Sequence, residues 1–359
     1  MDRSLARYLR RRGASPTEIE QAVRNGYLTL LVFDRAVMPG ERKYTLAAVA
    51  AAAGTDLVTA RALWRALGFP DLPDDLPAFT DRDVEALRGF VERLHRPWVY
   101  DWTLERALPQ ARVLSSALAR IADAESDDVA LSVDDARRAG LSDEELAAAV
   151  ATNLDFDDIS RLVDHAHRLQ LRAALWRKLA GSEPGTPGTV EVTVGFLDLV
   201  GYTALAEDLD DRELSDLVER FAGIAHDTVV AHGGRLVKTI GDEVMFIADR
   251  PQTAAVIALS LSAESTSDEV LPDARAGIAS GTVLSREGDY FGPVVNLASR
   301  LTELAYPGTV LASSDVAAAL AGDERFTLRR LPRRRVRGIG RIDVYRLGAA
   351  PEPARAPTG

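Results

Sequence analysis

Residues 189–198 read Thr189-Val190-Glu191-Val192-Thr193-Val194-Gly195-Phe196-Leu197-Asp198. β-Branched residues fill this run with a period of two, which is the pattern of a strand, and the strand ends on a carboxylate. Immediately before it, Gly181-Ser182-Glu183-Pro184-Gly185-Thr186-Pro187-Gly188 places two Pro and three Gly in eight residues. Such a stretch cannot continue a helix and makes a poor strand. Further upstream the apolar positions recur three or four apart, as in Leu162, Ala166, Leu169 and Ala173, which is a helical stripe. The change of period from 3.6 to 2 marks a domain boundary. It predicts an α+β chain whose first half is all helical and whose second half carries a sheet.

Composition narrows the function. A length of 359 residues suggests two domains, and 47% hydrophobic with 27% charged residues is ordinary globular usage. There is no Cys, which excludes a disulfide framework, a thiolate zinc site and a cysteine nucleophile, and agrees with a reducing cytoplasm. The five His, at 95, 165, 167, 226 and 232, form no HExxH pair. The net charge is -11 and neither half is cationic, so non-specific DNA binding is not what charge predicts. The N-terminus MDRSLARYLRRRG is basic but lacks the apolar run of a signal peptide. The longest greasy stretch, Leu46 to Ala53, falls far short of the roughly 20 residues that span a bilayer. The expectation is a cytoplasmic protein with no transmembrane segment.

The helical half is expected to form a regulatory domain over residues 1–154. Within it, 44–94 reads as a helix, a short turn at Gly54 and a second helix, resembling the MerR-type helix-turn-helix. DNA recognition and a compact helical fold without a DNA partner are the two readings. The second is favoured, because the second helix offers only Arg61 and Arg65 as cations. The acidic stretch 123–145 lacks the spacing of a calcium loop and reads as a solvated connector. Residues 155–187 are expected as a linker helix followed by the Gly/Pro linker. The helix begins with Asp155, Asp157 and Asp158 and ends with Arg172, Arg177 and Lys178, an order that suits the helix dipole.

Three pieces of the second half carry chemistry. Asp198 ends a strand just before a turn with Gly201, and a carboxylate beside exposed backbone N–H groups suits a cation that bridges phosphates. Gly233 to Ala248 reads as a hairpin with its turn at Gly241-Asp242. Two carboxylates from two strand ends are what a two-metal phosphoryl-transfer site needs. After Gly292-Pro293, a helix places Asn296 and Arg300 four apart on one face, where an amide and a guanidinium can grip a ribose oxygen and a phosphate.

Together FLDLVGYTAL (196–205), GDEVMF (241–246) and GDYFGPVVNLASRL (288–301) resemble the class III nucleotidyl cyclase catalytic domain. The resemblance covers about residues 188–348 and implies a ferredoxin-like βαββαβ core, with active sites formed only between two head-to-tail copies. It implies that Asp198 and Asp242 are metal ligands for two Mg²⁺ or Mn²⁺ ions. It makes Lys238 and Asp289 the purine-reading pair, Asn296 and Arg300 the transition-state groups, and Arg337 a contact to the terminal phosphates. All six core positions hold the residue that an adenylate cyclase of the family needs. The base preference also follows from chemistry: Lys238 only donates and ionised Asp289 only accepts, which complements N1 and N6 of adenine and mismatches guanine.

The resulting expectation is a homodimeric adenylate cyclase acting on ATP, of the actinobacterial soluble type, regulated by its helical domain. The signal stays open between a small-molecule or lipid ligand among the Ala/Leu-rich helices and pH acting through His165 and His167 on the linker helix. Nucleic acid is not expected as a partner. The alternatives are a DNA-binding regulator and a diguanylate cyclase, whose turn motif Gly241-Asp242-Glu243 echoes. Residues 349–359, rich in Pro and Ala, are expected as a disordered tail.

Overall fold

The chain divides into two compact units, Met1–Ser182 and Glu183–Gly359. The computed structural model describes residues 2–96, 102–154, 156–180, 188–336 and 338–351. Asp155, most of the Gly/Pro linker, Arg337 and residues 352–359 of the expected tail lie outside the described residues.

Among the described residues the first unit is helical: α1 (Arg3–Arg11), α2 (Pro16–Asn25), α3 (Leu28–Val37), α4 (Leu46–Ala53), α5 (Leu57–Ala66), α6 (Asp81–His95), α7 (Leu104–Arg138), α8 (Asp143–Asn153) and α9 (Phe156–Ala180). Two separate cores hold it. One joins α1, α2, α3 and α8 through Leu5, Leu9, Ile19, Leu28, Val32 and Ala147. The other joins α4, α5, α6 and the start of α7 through Val49, Ala60, Leu63, Val84, Leu87 and Ala111. No single helix among the described residues is long and apolar enough to cross a membrane.

Two helices joined by a short turn, α4 and α5, lie within 44–94. Thr45 and Asp56 cap α4 and α5, Gly54 ends α4 with φ +79°, and the two helices bend by 110°. Arg61 and Arg65, the cations of the second helix, each meet an acid of the following segment: Arg61 reaches Asp74 at 2.7 Å, and Arg65 reaches Asp71.

The acidic stretch 123–145 is mostly exposed and helical, and it links the core that holds the start of α7 to the core that holds α8. Most of it belongs to α7, a single helix of 35 residues, supported by i,i+3 pairs such as Arg138–Asp135 at 2.9 Å. The rest opens α8 with a capping box of Ser142 and Glu145. Asp143 then caps a different helix. Its carboxylate accepts from Leu28 N–H at 2.7 Å and Thr29 Oγ1 at 2.6 Å, at the start of α3.

The second unit follows the order β1 (Thr189–Leu199), α10 (Tyr202–Asp208), α11 (Asp211–Ala231), β2 (Arg235–Ile240), β3 (Glu243–Ala248), α12 (Pro251–Ser267), β4 (Ala274–Arg286), β5 (Asp289–Phe291), α13 (Pro293–Leu304), β6 (Val310–Ala312), α14 (Ser314–Ala319), β7 (Phe326–Arg330), β8 (Arg334–Val336), β9 (Gly340–Ile342) and β10 (Tyr345–Ala349). The main sheet has the order β2-β3-β1-β4-β6-β10-β7, with β5 pairing β4. Its first four strands, antiparallel to one another, have the βαββαβ order expected from the sequence. β4 and β6 are parallel. β10 runs to Ala349, one residue into the expected tail.

Two cores sandwich this sheet. On one face α11 and α12 cover Leu197, Leu199, Val244 and Phe246. On the other α13 covers Val194, Phe196, Met245 and Ala279 through Ala298 and Leu301. The α13 side is the tighter. A Cβ at Gly277 would lie 2.4 Å from Thr302 N and 2.5 Å from Ala298 O, so the helix backbone rests directly on β4. The Thr302 hydroxyl also donates to Phe196 O at 3.2 Å on β1. These contacts fix the height and rotation of α13 over the sheet.

Gly277→Ala should therefore lift α13 and cost about 1–3 kcal/mol, the usual cost of overpacking a core. Chemical denaturation should show a lower midpoint at unchanged slope; an unchanged midpoint would mean that the helix seat is compliant.

Candidate active site

Asp198 is the penultimate residue of β1. It pairs in register with Glu243 on β3 and Arg275 on β4. Cross-strand partners share a face of the sheet, so all three project toward the α13 side. Arg275 donates to Asp198 Oδ2 from Nε at 2.7 Å and from Nη2 at 2.6 Å. Asp242 follows Gly241, whose φ of +60° forms the tight β2–β3 turn. Its own carbonyl accepts from Leu199 N–H at 3.2 Å, which ties the hairpin turn to the end of β1.

This geometry crowds carboxylates. Burial, then the charge of Asp198 and a hydrogen bond shared with it, hold the Asp242 carboxyl above the usual carboxylate range. Glu243 is pushed the same way by burial and by the charges of Asp198, Asp242 and Glu303, with Arg275 opposing. Two carboxylates side by side, one of them reluctant to ionise, form a donor set that suits a hard divalent cation. Such cations are commonly held by one or two carboxylates with substrate phosphates completing the shell. Asp198 and Asp242 fit that role.

Lys238 and Asp289 come from different strands and meet. Lys238 Nζ donates to Asp289 Oδ2 at 2.6 Å, and Tyr290 N–H donates to Asp289 Oδ1 at 2.8 Å. Burial opposes ionisation of Asp289, but these bonds outweigh it and its pKa is lowered. The pair thus presents an ammonium beside a carboxylate, both half-buried.

Asn296 and Arg300 line an open cavity of about 650 Å³ together with Ser299, Glu303, Gly338 and Ile339. Gly338 and Ile339 lie in the turn between β8 and β9, so that hairpin stands over the exposed face of α13. Arg300 is held by Glu303 one turn later. None of Asp198, Asp242, Lys238 or Asp289 lines this cavity. Of the expected residues, Asp242 lies beside Asp198, Lys238 meets Asp289, and Asn296 and Arg300 share one cavity. Arg337 lies outside the described residues.

Sequence reading missed Arg275, Glu243, Glu303 and Ser299. For Ser299 a signal existed, since it shares the helix face of Asn296 and Arg300. For Arg275 none did, because its place opposite Asp198 depends on a strand register between residues 77 apart in sequence.

Residues 186–349 match the family model described as the adenylate and guanylate cyclase catalytic domain. The chain is 37% identical over 350 residues to an adenylate cyclase of Glutamicibacter nicotianae, covering 93% of this chain and 85% of that one. It is 34% identical over 337 residues to an adenylate cyclase of Streptomyces coelicolor, covering 87% of each. The chain belongs to the adenylate and guanylate cyclase family. A solved catalytic core of a rhodopsin-guanylyl cyclase is 22% identical to it and covers 45% of this chain and 98% of that one, with a TM-score of 0.42. The cyclase match takes in the whole of the second unit's main sheet. The similarity to the two adenylate cyclases extends through the helical unit as well.

The raised pKa of Asp242 sets a sign for stability. A carboxyl whose folded pKa lies above its unfolded value stabilises the fold only while protonated, so that contribution is lost as pH rises through the folded pKa. In cation-free buffer, Asp242→Asn should melt above the wild type at pH 7. The gap should close as pH falls through the raised pKa of Asp242, where the wild-type carboxyl protonates. A variant that melts lower at pH 7 would show that the carboxylates do not strain one another.

Proposed function

We propose that the chain is an adenylate cyclase that converts ATP to 3′,5′-cyclic AMP and pyrophosphate at sites shared between two copies. The observation that carries the base preference is the Lys238–Asp289 pair at 2.6 Å. Lys238 keeps further donors and Asp289 further lone pairs after this bond. Adenine offers an acceptor at N1 and a donor at N6, which this pair complements; guanine offers the reverse. The names of the two relatives agree with this choice.

Asp198 and Asp242 are the residues that would hold two Mg²⁺ or Mn²⁺ ions, which when bound neutralise the triphosphate and lower the pKa of the attacking hydroxyl. Asn296 orients the ribose. Arg300 leaves Glu303 and meets the charge that grows on the α-phosphate. The ribose 3′-oxygen forms a bond to the α-phosphorus, the bond to pyrophosphate breaks, and the hydroxyl proton passes to water. Arg337 meets the terminal phosphates. Membership of the cyclase family supports a shared site, with the carboxylates from one copy and the base-reading and Asn–Arg groups from the other. The helical unit regulates this assembly in response to pH or to a small-molecule or lipid ligand. ATP as substrate fits a cytoplasmic location.

Mixing tests the shared site. Asp198→Ala and Lys238→Ala should each be inactive alone. After subunit exchange the mixture should recover about a quarter of the wild-type rate, because half the dimers are mixed and each has one intact site of two. A silent mixture with proven exchange would place each site within one chain.

The base assignment has its own test. Lys238→Glu with Asp289→Ala should lower kcat/KM for ATP by at least about 100-fold, the scale expected when buried polar partners are mismatched. Use of GTP relative to ATP should rise. Unchanged ATP kinetics would remove both residues from base recognition.

A further inference from the structure

Lys238 and Asp289 come from strands that do not pair with each other. β2 and β5 stand at opposite ends of the path β2-β3-β1-β4-β5, with three strands between them. No ladder of backbone bonds therefore sets the distance from Lys238 to Asp289. β5 is also short. It pairs with β4 through Asp289, Tyr290 and Phe291, and it follows a turn in which Glu287 and Gly288 both have positive φ. Contacts other than the sheet must hold this strand against β2.

A second side-chain bond joins the two strands. Arg235 Nη1 donates to the Tyr290 hydroxyl at 2.8 Å, one residue along β5 from Asp289 and three residues back along β2 from Lys238. Tyr290 is 7% exposed and belongs to the core on the α13 side of the sheet, so its hydroxyl is a fixed point. On a regular strand a spacing of three would put Arg235 and Lys238 on opposite faces. Here the β2–β3 register shifts between Leu236 and Lys238. Arg235 then pairs with Ile247 and Lys238 with Met245, two residues of that same core. One extra residue, Val237, thus turns both cations to one face.

We propose that Arg235 is a positioning residue of the base pocket: by holding Tyr290 it fixes Asp289 at the reach from Lys238 that adenine requires. This rests on the base-reading roles of Lys238 and Asp289. Their own bond cannot set the width of the pocket, because both groups turn to the base when adenine enters. The Arg235–Tyr290 bond involves neither group and persists. Tyr290 passes the constraint on directly, since its own N–H donates to Asp289 Oδ1 at 2.8 Å. Arg235 is steadied in turn by Asp249, just after β3, which lies 3.9 Å from Nη2. A misplacement of about 1 Å is enough to impair a site that works by orientation.

Arg235→Met and Tyr290→Phe each remove the bond and keep the bulk of the side chain. Initial rates of cyclic nucleotide formation from ATP and from GTP are measured for the full-length wild type, both single variants and the double variant. Each single variant should raise KM for ATP about 3- to 10-fold, the worth of one hydrogen bond, with kcat changed less than KM. The preference for ATP over GTP should fall by a similar factor. The double variant should cost no more than the worse single one, because both changes remove the same bond. If Arg235→Met does not fold, Tyr290→Phe, which leaves the core ring in place, decides alone. A merely structural support would lower the use of both nucleotides alike and leave the preference intact, and that result would overturn the proposal. Costs that add in the double variant would overturn it as well. A wild type without preference for ATP would overturn the base reading, and this inference with it. A wild type that prefers ATP, beside variants that keep its KM and its preference, would overturn the inference alone.

Discussion

Everything at the candidate site depends on the forced proximity of Asp198 and Asp242. Two like charges do not approach unless the backbone holds them, and here it holds them from both sides. β1 fixes Asp198 between β3 and β4 by register. The hydrogen bond from Leu199 N–H to Asp242 O pins the hairpin turn to the same strand end. Arg275 offsets part of the charge at Asp198, while burial first and the charge of Asp198 second raise the pKa of Asp242. A bound cation would relieve this crowding.

The same sheet explains why α13 is so rigidly placed. Its Asn296 and Arg300 must be held at a fixed height over the sheet. Gly277 allows that helix to rest backbone on backbone, and Thr302 adds a bond to β1. On the opposite face Gly195 makes a comparable concession, since a Cβ there would fall 2.1 Å from the Phe246 ring. Small residues on central strands therefore serve position rather than flexibility. Their cost in strand propensity is offset by the packing that they permit.

Much of this was legible in the sequence because the signals are local. The period switch before Thr189, the Gly241-Asp242 turn and the Pro293 helix start are each written in a few adjacent residues. The Asn296/Arg300 face follows from helical spacing alone. What was not legible is either long-range or lacks a hydrophobic period. Arg275 matters only through its register with β1. The run 123–145 reads as a connector because acids dilute its stripe. Yet Ala, Leu and Val are frequent there, and i,i+3 ion pairs let it stay helical within α7. Asp143 shows the same limit from another side. Its sequence neighbours suggest a capping box, and nothing near it announces that its own carboxylate caps a helix that begins 115 residues earlier.

The distribution of charge along the two exposed helices completes the picture. In α7 acids interrupt the apolar stripe after Ile121, with Glu125 and Asp128 on the face that Leu114 and Leu118 began. In α9 Ile159, Leu162, Ala166, Leu169, Ala173 and Trp176 form a stripe that no charged residue enters, while Arg161, Asp164 and Arg168 sit on the other faces and pair along the helix. A helix that only spans solvent has no reason to keep one face free of charge. Polar residues there would cost nothing and would protect against aggregation. That α9 keeps this stripe free of charge, while α7 does not, is the difference between the two exposed helices.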